Sequence, residues 1–427
     1  MSEATLVLNA GASSIAVTLF KEKEQLMYQN LAILAAFVLV YSAVAGRTEK
    51  TPISGAIVAM GFGFACGPLG LRIFTPHVDG ELLRTLAELT LALVLFTDAA
   101  NANLSVLKIS LQLPERLLLI GLPLTILLGF GIGILVFPGM GLFELAVLAT
   151  MLAPTDAALG KAVVTNPAVP AALREGLNVE SGLNDGICVP ILFVFLALAS
   201  RATVNESGFQ LALVLVAQQI GIGLAVGIGL TAAAGWILKR CAQRKWITET
   251  WRQLPVVALA FVCFAAAQVL GGSGFIASFT GGLLFGALAK EHKHDLLRAA
   301  EGAGDTLSLA TWMSFGAAVV GQVIWEFSWP ILMYSLLSLT VVRMLPVYLS
   351  LAGSSLKPGS RLFLGWFGPR GLATVVFAVI VLNHHLPGGH ELALTAACTV
   401  ILSILAHGFS ANPLAALLGA REVSRAE

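Results

Sequence analysis

Leu152-Ala153-Pro154-Thr155-Asp156-Ala157 puts a proline and an aspartate inside an otherwise apolar run. Proline has no amide hydrogen for the preceding turn, and its ring crowds that turn's carbonyl, so a helix that reaches Pro154 breaks there. The device recurs late in the chain as Gly368-Pro369-Arg370-Gly371, again a breaker beside a charge. Irregular backbone inside a bilayer survives only where it lines a cavity or is buried in protein. Two interrupted runs therefore point to a pair of discontinuous helices that meet at a site.

The surrounding composition calls for that bilayer. Of 427 residues, 57% are hydrophobic and only 11% charged, too little polar surface to dissolve a soluble core of this size. A hydrocarbon core about 30 Å thick takes about 20 apolar residues in a helix rising about 1.5 Å per residue. About thirteen such runs emerge, beginning near Tyr28, Pro52, Glu81, Arg116, Leu142, Pro170, Phe209, Arg252, Phe275, Thr306, Ser328, Arg361 and Glu391. The expected fold is an all-α polytopic membrane protein with about thirteen transmembrane helices. Spans five and twelve, both broken, hold corresponding places in two inverted six-helix repeats, residues 28–200 and 252–420, joined by a connecting span at 208–240. Together these make a transmembrane domain of residues 28–420, flanked by an appended tail at 1–27 and a short tail at 421–427.

Most of the 25 Lys and Arg fall in connections after odd-numbered spans and in the C-terminal tail. Cytoplasmic connections hold the basic excess, which places the N-terminus outside a cell membrane and the C-terminus in the cytoplasm. The net charge of +1 offers no basic field for nucleic acid. Five cysteines, with no close pair, read as small hydrophobes rather than disulfides or metal ligands. His292-Lys293-His294-Asp295 reads as a solvated loop between spans. Leu6 to Ser14 resembles the opening phosphate-binding strand of acetate kinases, but nothing later supports a kinase.

An ionisable side chain near the bilayer centre needs a partner, a water-filled cavity or a task. Asp98, Asp156, Glu180, Asp185, Arg343 and Arg370 fall at such depths, with Glu88 a weaker case nearer an interface. One alone could be a packing ion pair; the set asks for a site. A broken helix exposes positive N-terminal and negative C-terminal dipole ends, and Asp156 and Arg370 have the signs to neutralise them. In the sixth run, Ser181 and Asp185 share a helix face, with Glu180 and Asn184 one step around. Carboxylate, hydroxyl and amide oxygens suit a hard monovalent cation, and a desolvated carboxylate can trade that cation for a proton. There is no His-Glu-x-x-His, no Gly-x-Ser-x-Gly elbow and no Ser/His couple at one depth, so an enzyme is not expected. A cation channel is the rival class, but a single compensated carboxylate fits saturable exchange better than a ring of charges.

Pro154-Thr155-Asp156, Val179-Glu180-Ser181-Gly182-Leu183-Asn184-Asp185, Gly368-Pro369-Arg370-Gly371 and His407-Gly408 occur in order along the chain. With these motifs the sequence resembles the NhaP-type sodium/proton antiporters of the monovalent cation:proton antiporter superfamily, from about Tyr28 onward. The resemblance implies an Asn-Asp pair, Asn184 and Asp185, where electrogenic relatives have two aspartates, and hence electroneutral exchange. It implies a cation at Asp185, Ser181 and Thr155, with Asn184, Asp156 and Asp98 also at the cation and proton site. It implies a buried ion pair, Glu180 with Arg343, the alternative being Glu180 with Arg370. No cofactor is implied; the cargo is sodium or lithium, with potassium as runner-up, against protons. Alternating access by a homodimer in the lipid bilayer, serving pH homeostasis, completes the expectation. Ala157 stands where the family often has proline, which alters the bend.

Overall fold

The computed structural model describes residues 3–48, 51, 53–74, 80–101, 112–156, 159, 161–164, 166, 168–201, 206–289, 293–320 and 323–423, and their regular structure is entirely helical. The first three helices are α1 (Glu3–Thr48), α2 (Gly55–Cys66) and α3 (Gly80–Asn101). α4 starts as Gln112–Arg116, passes through a π turn at Leu117–Gly121 and continues as Leu122–Val136. Pro123, which has no amide hydrogen for Leu119, follows directly on the widened turn. Next come α5 (Leu142–Met151), the short α6 (Lys161–Val164), α7 (Ala171–Arg201), α8 (Glu206–Gln243), α9 (Leu254–Val269) and α10 (Gly274–Leu288). α11 (Lys293–Phe315) ends in a second π turn, Gly316–Val320. α12 (Trp329–Leu339), α13 (Val341–Ser350), α14 (Pro358–Trp366), α15 (Leu372–Asn383) and α16 (Gly389–Val423) complete the order.

Among the described residues, six helical stretches are long and apolar enough to cross a membrane: Gln25–Thr48, Leu113–Val136, Ala171–Ser200, Val214–Gln243, Trp329–Ser350 and Gly389–Ala420. Shorter apolar helices include α5 and α15, which flank the two breaks. Helix association in lipid relies on close packing rather than on expulsion of water, so small residues mark the contacts. Gly282 and Gly286 of α10 lie against the backbone of Phe96 and Ala100 in α3, leaving no room for a Cβ. α2 and α11 meet reciprocally, Gly63 against Met313 and Gly316 against Met60. The second π turn falls at this crossing.

Three features differ from the sequence reading or extend it. α11 opens at Lys293, well before the apolar run near Thr306, so Lys293, His294 and Asp295 belong to a helix rather than a loop, while His292 lies outside the described residues. Leu297 and Ala300, three apart, are fully buried, and that apolar seam carries the helix through its charged first turns. The run near Ser328 kinks at Thr340 (φ −107°, ψ −90°), between α12 and α13, although neither glycine nor proline stands there. α1 continues without interruption through position 28, where the tail was expected to give way to a span; its membrane-length apolar stretch begins at Gln25.

Candidate functional site

α5 stops because Pro154 cannot continue it, and residues 154–156 run on without helical structure. α14 stops likewise at Trp366, and residues 367–371 are irregular before α15 begins. The two breaks face each other. Asp156 N–H donates to the Pro369 carbonyl at 2.8 Å, and Thr374 Oγ1 donates to the Met151 carbonyl at 3.2 Å. Asp156 Oδ2 accepts from the amide of Leu372, the first residue of α15, at 3.0 Å, while Oδ1 accepts from the Leu159 amide at 3.2 Å. A carboxylate is thus held at the amide-rich start of a helix. Arg370, fully buried, answers at the opposite pole: its Nη1 donates to the carbonyls of Pro154 (3.3 Å) and Gly368 (3.1 Å), beyond the ends of α5 and α14. Both glycines of the second break are required by close approach, since a Cβ on Gly371 would meet Asp156 Oδ2 and one on Gly368 would meet Arg343 Nε.

α7 supplies the rest. Glu180 pairs with Arg343 of α13 through two bonds, 2.6 and 2.8 Å, both side chains 1% exposed. Arg370 instead binds carbonyls, so of the two pairings left open the structure contains Glu180 with Arg343. Ser181 Oγ donates to the Thr155 carbonyl, and Asn184 Nδ2 donates to Thr155 Oγ1 at 2.7 Å. The helix therefore grips the bend at two points three residues apart, and Asn184 works with Ser181 rather than with Glu180. Positions i and i+3 are neighbours on a helix just as i and i+4 are. Asp185, 8% exposed, sits one turn beyond Ser181, and its Oδ1, like Asn184 Oδ1, has no hydrogen-bond partner. Asp98, half-buried on α3, packs against α7 at Gly182, where an added Cβ would lie 3.5 Å from the Asp98 Cβ.

A narrow, partly open cleft reaches Thr155, Asp156 and Ser181 from the side of Val163, Val164, Leu177 and Phe367. Asp185 is not among its lining residues. Of the expected ligands, Ser181 and Asn184 each bond Thr155, Asp156 accepts from backbone amides, and Asp98 lies alongside α7.

α16 adds Ser403, which sequence reasoning missed, and gives the motif residue His407 a partner. Arg370 N–H donates to Ser403 Oγ at 2.7 Å, and His407 Nε2 lies 2.8 Å from the Trp366 carbonyl at the end of α14. The available signal was a buried polar stripe at four-residue spacing, Thr395, Thr399, Ser403 and His407.

The family model described as "Sodium/hydrogen exchanger, transmembrane" matches residues 32–417. The chain belongs to the sodium/hydrogen exchanger family. Its breaks at Pro154 and Pro369 and its charged sixth run all fall inside the matched region. This family member is 25% identical over 388 residues to a K(+)/H(+) antiporter, NhaP2, of Shewanella sp. (strain ANA-3), covering 90% of this chain and 66% of the relative. It is also 25% identical over 320 residues to a Na(+)/H(+) antiporter of Schizosaccharomyces pombe, covering 66% of this chain and 67% of that protein. The chain thus spans slightly less than two thirds of the length of the Shewanella relative. Among solved structures, it resembles the sodium proton antiporter MjNhaP1 from Methanocaldococcus jannaschii at pH 8 with a TM-score of 0.75 at 20% identity, over 90% of this chain and 99% of the archaeal one. The exchanger-family member is accordingly an all-α, multi-pass membrane protein.

Proposed function

We propose that this chain is a secondary active monovalent cation/proton antiporter in which Asp185 holds a cation and a proton in turn. The isolation of Asp185 carries the reading. Glu180 has Arg343 and Asp156 has backbone amides, whereas Asp185 Oδ1 is buried with no donor. A bare carboxylate in such a place costs several kcal/mol, so a proton or a cation must complete it. The partnerless Asn184 Oδ1 is a neutral oxygen available to that cation, and Thr155 and Ser181 bring further oxygens within one turn. Hard oxygen donors of this kind favour sodium or lithium over softer ions.

One titrating carboxylate, with an amide rather than a second acid beside it, supports electroneutral exchange. Thr155, Ser181 and the charged frame move the occupied carboxylate between the two sides by alternating access, without covalent chemistry. A second copy of the chain serves as the scaffold partner, with the C-terminus in the cytoplasm. Potassium is the second reading, favoured by the K(+)/H(+) description of the Shewanella relative. The test is proton flux in sealed vesicles driven by sodium, lithium or potassium gradients, with Asp185→Asn as control. Flux that depends on one of these cations and vanishes in the variant is expected; full flux in Asp185→Asn would overturn the reading.

A further inference from the structure

The connection from α8 to α9 carries a surface that cation exchange does not use. Lys239, Arg240, Arg244 and Lys245 crowd the end of α8 and the turn beyond it, Arg252 follows before α9, and all five are exposed. Glu249 is the sole acid between positions 239 and 253. Among the described residues none of the five cations has a carboxylate partner. Two of them lie over indoles instead: the Arg240 guanidinium is 4.8 Å from the Trp236 ring centre, and that of Arg244 is 5.0 Å from the Trp246 ring centre. Trp246 and Trp251 are 66% and 65% exposed.

The backbone builds this arrangement. Lys245 takes φ +57° and the Trp246 amide closes on the Cys241 carbonyl at 3.0 Å, which ends α8 and folds Trp246 back beside Arg244. α8 contains the membrane-length stretch Val214–Gln243, so the patch lies where an apolar helix leaves the hydrocarbon. Indole rings settle at the headgroup level, and a run of four to eight basic residues at the end of a span attracts anionic lipid. Exposed Trp236 and Ile237 extend the patch along the helix with apolar surface. A soluble acidic partner would leave that apolar strip uncovered; a lipid covers both parts. We infer that this patch is a binding site for anionic phospholipids, with the headgroup phosphate on Arg240, Arg244 and Lys245 and the acyl chains along Trp236 and Ile237. The inference is independent of the transport reading.

The test reconstitutes the full chain in phosphatidylcholine vesicles containing a small fraction of brominated phosphatidylglycerol or brominated phosphatidylcholine, and reads quenching of tryptophan fluorescence. The brominated anionic lipid should quench at least twofold more than the zwitterionic one. The excess should shrink in Trp236→Phe, which removes the indole beside the acyl chains, and in the Arg240→Gln/Arg244→Gln/Lys245→Gln variant. With the unaltered protein it should also fall as salt is raised, a reading that needs no variant to fold. Equal quenching by the two lipids, an excess indifferent to salt, or an excess retained in a folded triple variant would each overturn the inference.

Discussion

Asp156 Oδ2 occupies the volume that a side chain at position 371 would need, and it uses the position to accept the amide of Leu372. One carboxylate thus closes the crossing of two broken helices, and the adjacent glycine exists to admit it. Gly371→Ala should therefore abolish transport and reduce the yield of folded protein. Gly229→Ala on α8, where an added Cβ meets nothing, should leave both unchanged. Uptake assays and size-exclusion profiles of the two variants decide the matter.

Asp156→Asn keeps the shape and removes the charge at the helix start. The loss of a charge-assisted bond to the Leu372 amide, together with the favourable charge at a helix N-terminus, should lower stability by about 1–2 kcal/mol. Transport should fall more than stability does, because the Thr155 bend is set by the same residue. A variant with unaltered melting and transport would remove Asp156 from the frame.

Glu180 and Arg343 form a fully buried pair, and such pairs respond asymmetrically to substitution. Glu180→Ala alone, by leaving a guanidinium unpaired, should destabilise by about 3–5 kcal/mol. Glu180→Leu/Arg343→Met, which removes both charges, should recover much of that loss. Thermal unfolding in detergent measures both, and equal destabilisation by the single and double variants would argue against a chiefly structural pair.

Thr155→Val deletes the hydroxyl that accepts from Asn184 Nδ2 while preserving side-chain volume. If that bond orients Asn184 Oδ1 toward the cation, KM for the cation should rise about tenfold, the equivalent of about 1.4 kcal/mol, with kcat changed less. Vesicle kinetics separate the two parameters; an unchanged KM would mean that Asn184 is positioned by other contacts.

The proposed competition of cation and proton for Asp185 would fix the sign of a pH effect. As pH falls and the proton claims the carboxylate, the apparent KM for the cation should rise by up to tenfold per pH unit, while the maximal rate at saturating cation is retained. A fall in maximal rate with constant KM would point to a regulatory group elsewhere.

The breaks were legible in the sequence because proline in a membrane-length apolar run has few structural outcomes, and charges beside it narrow them further. The composition of α7 showed which residues would gather, but not their pairwise contacts: Ser181 and Asn184 share Thr155, a choice between three- and four-residue neighbours that spacing leaves open. Ser403 and Thr374 escaped notice because buried hydroxyls commonly bond their own helix four residues back, as Thr395 and Thr399 do here. The kink at Thr340 has no breaker to announce it. The early start of α11 was hidden by charged residues that conceal a narrow buried seam at Leu297 and Ala300.

Thr155 is held by α7 through both its carbonyl and its hydroxyl. The bend and the helix bearing Asp185 are therefore tied into one piece, and under the proposed alternating access they would present the same oxygens to the ion whichever face the carrier opened toward. Any difference in apparent affinity between the two compartments would then arise along the approach, through hydration, local potential and the width of the opening. Ion preference would be a property of the passenger seat, and directional bias a property of the doors.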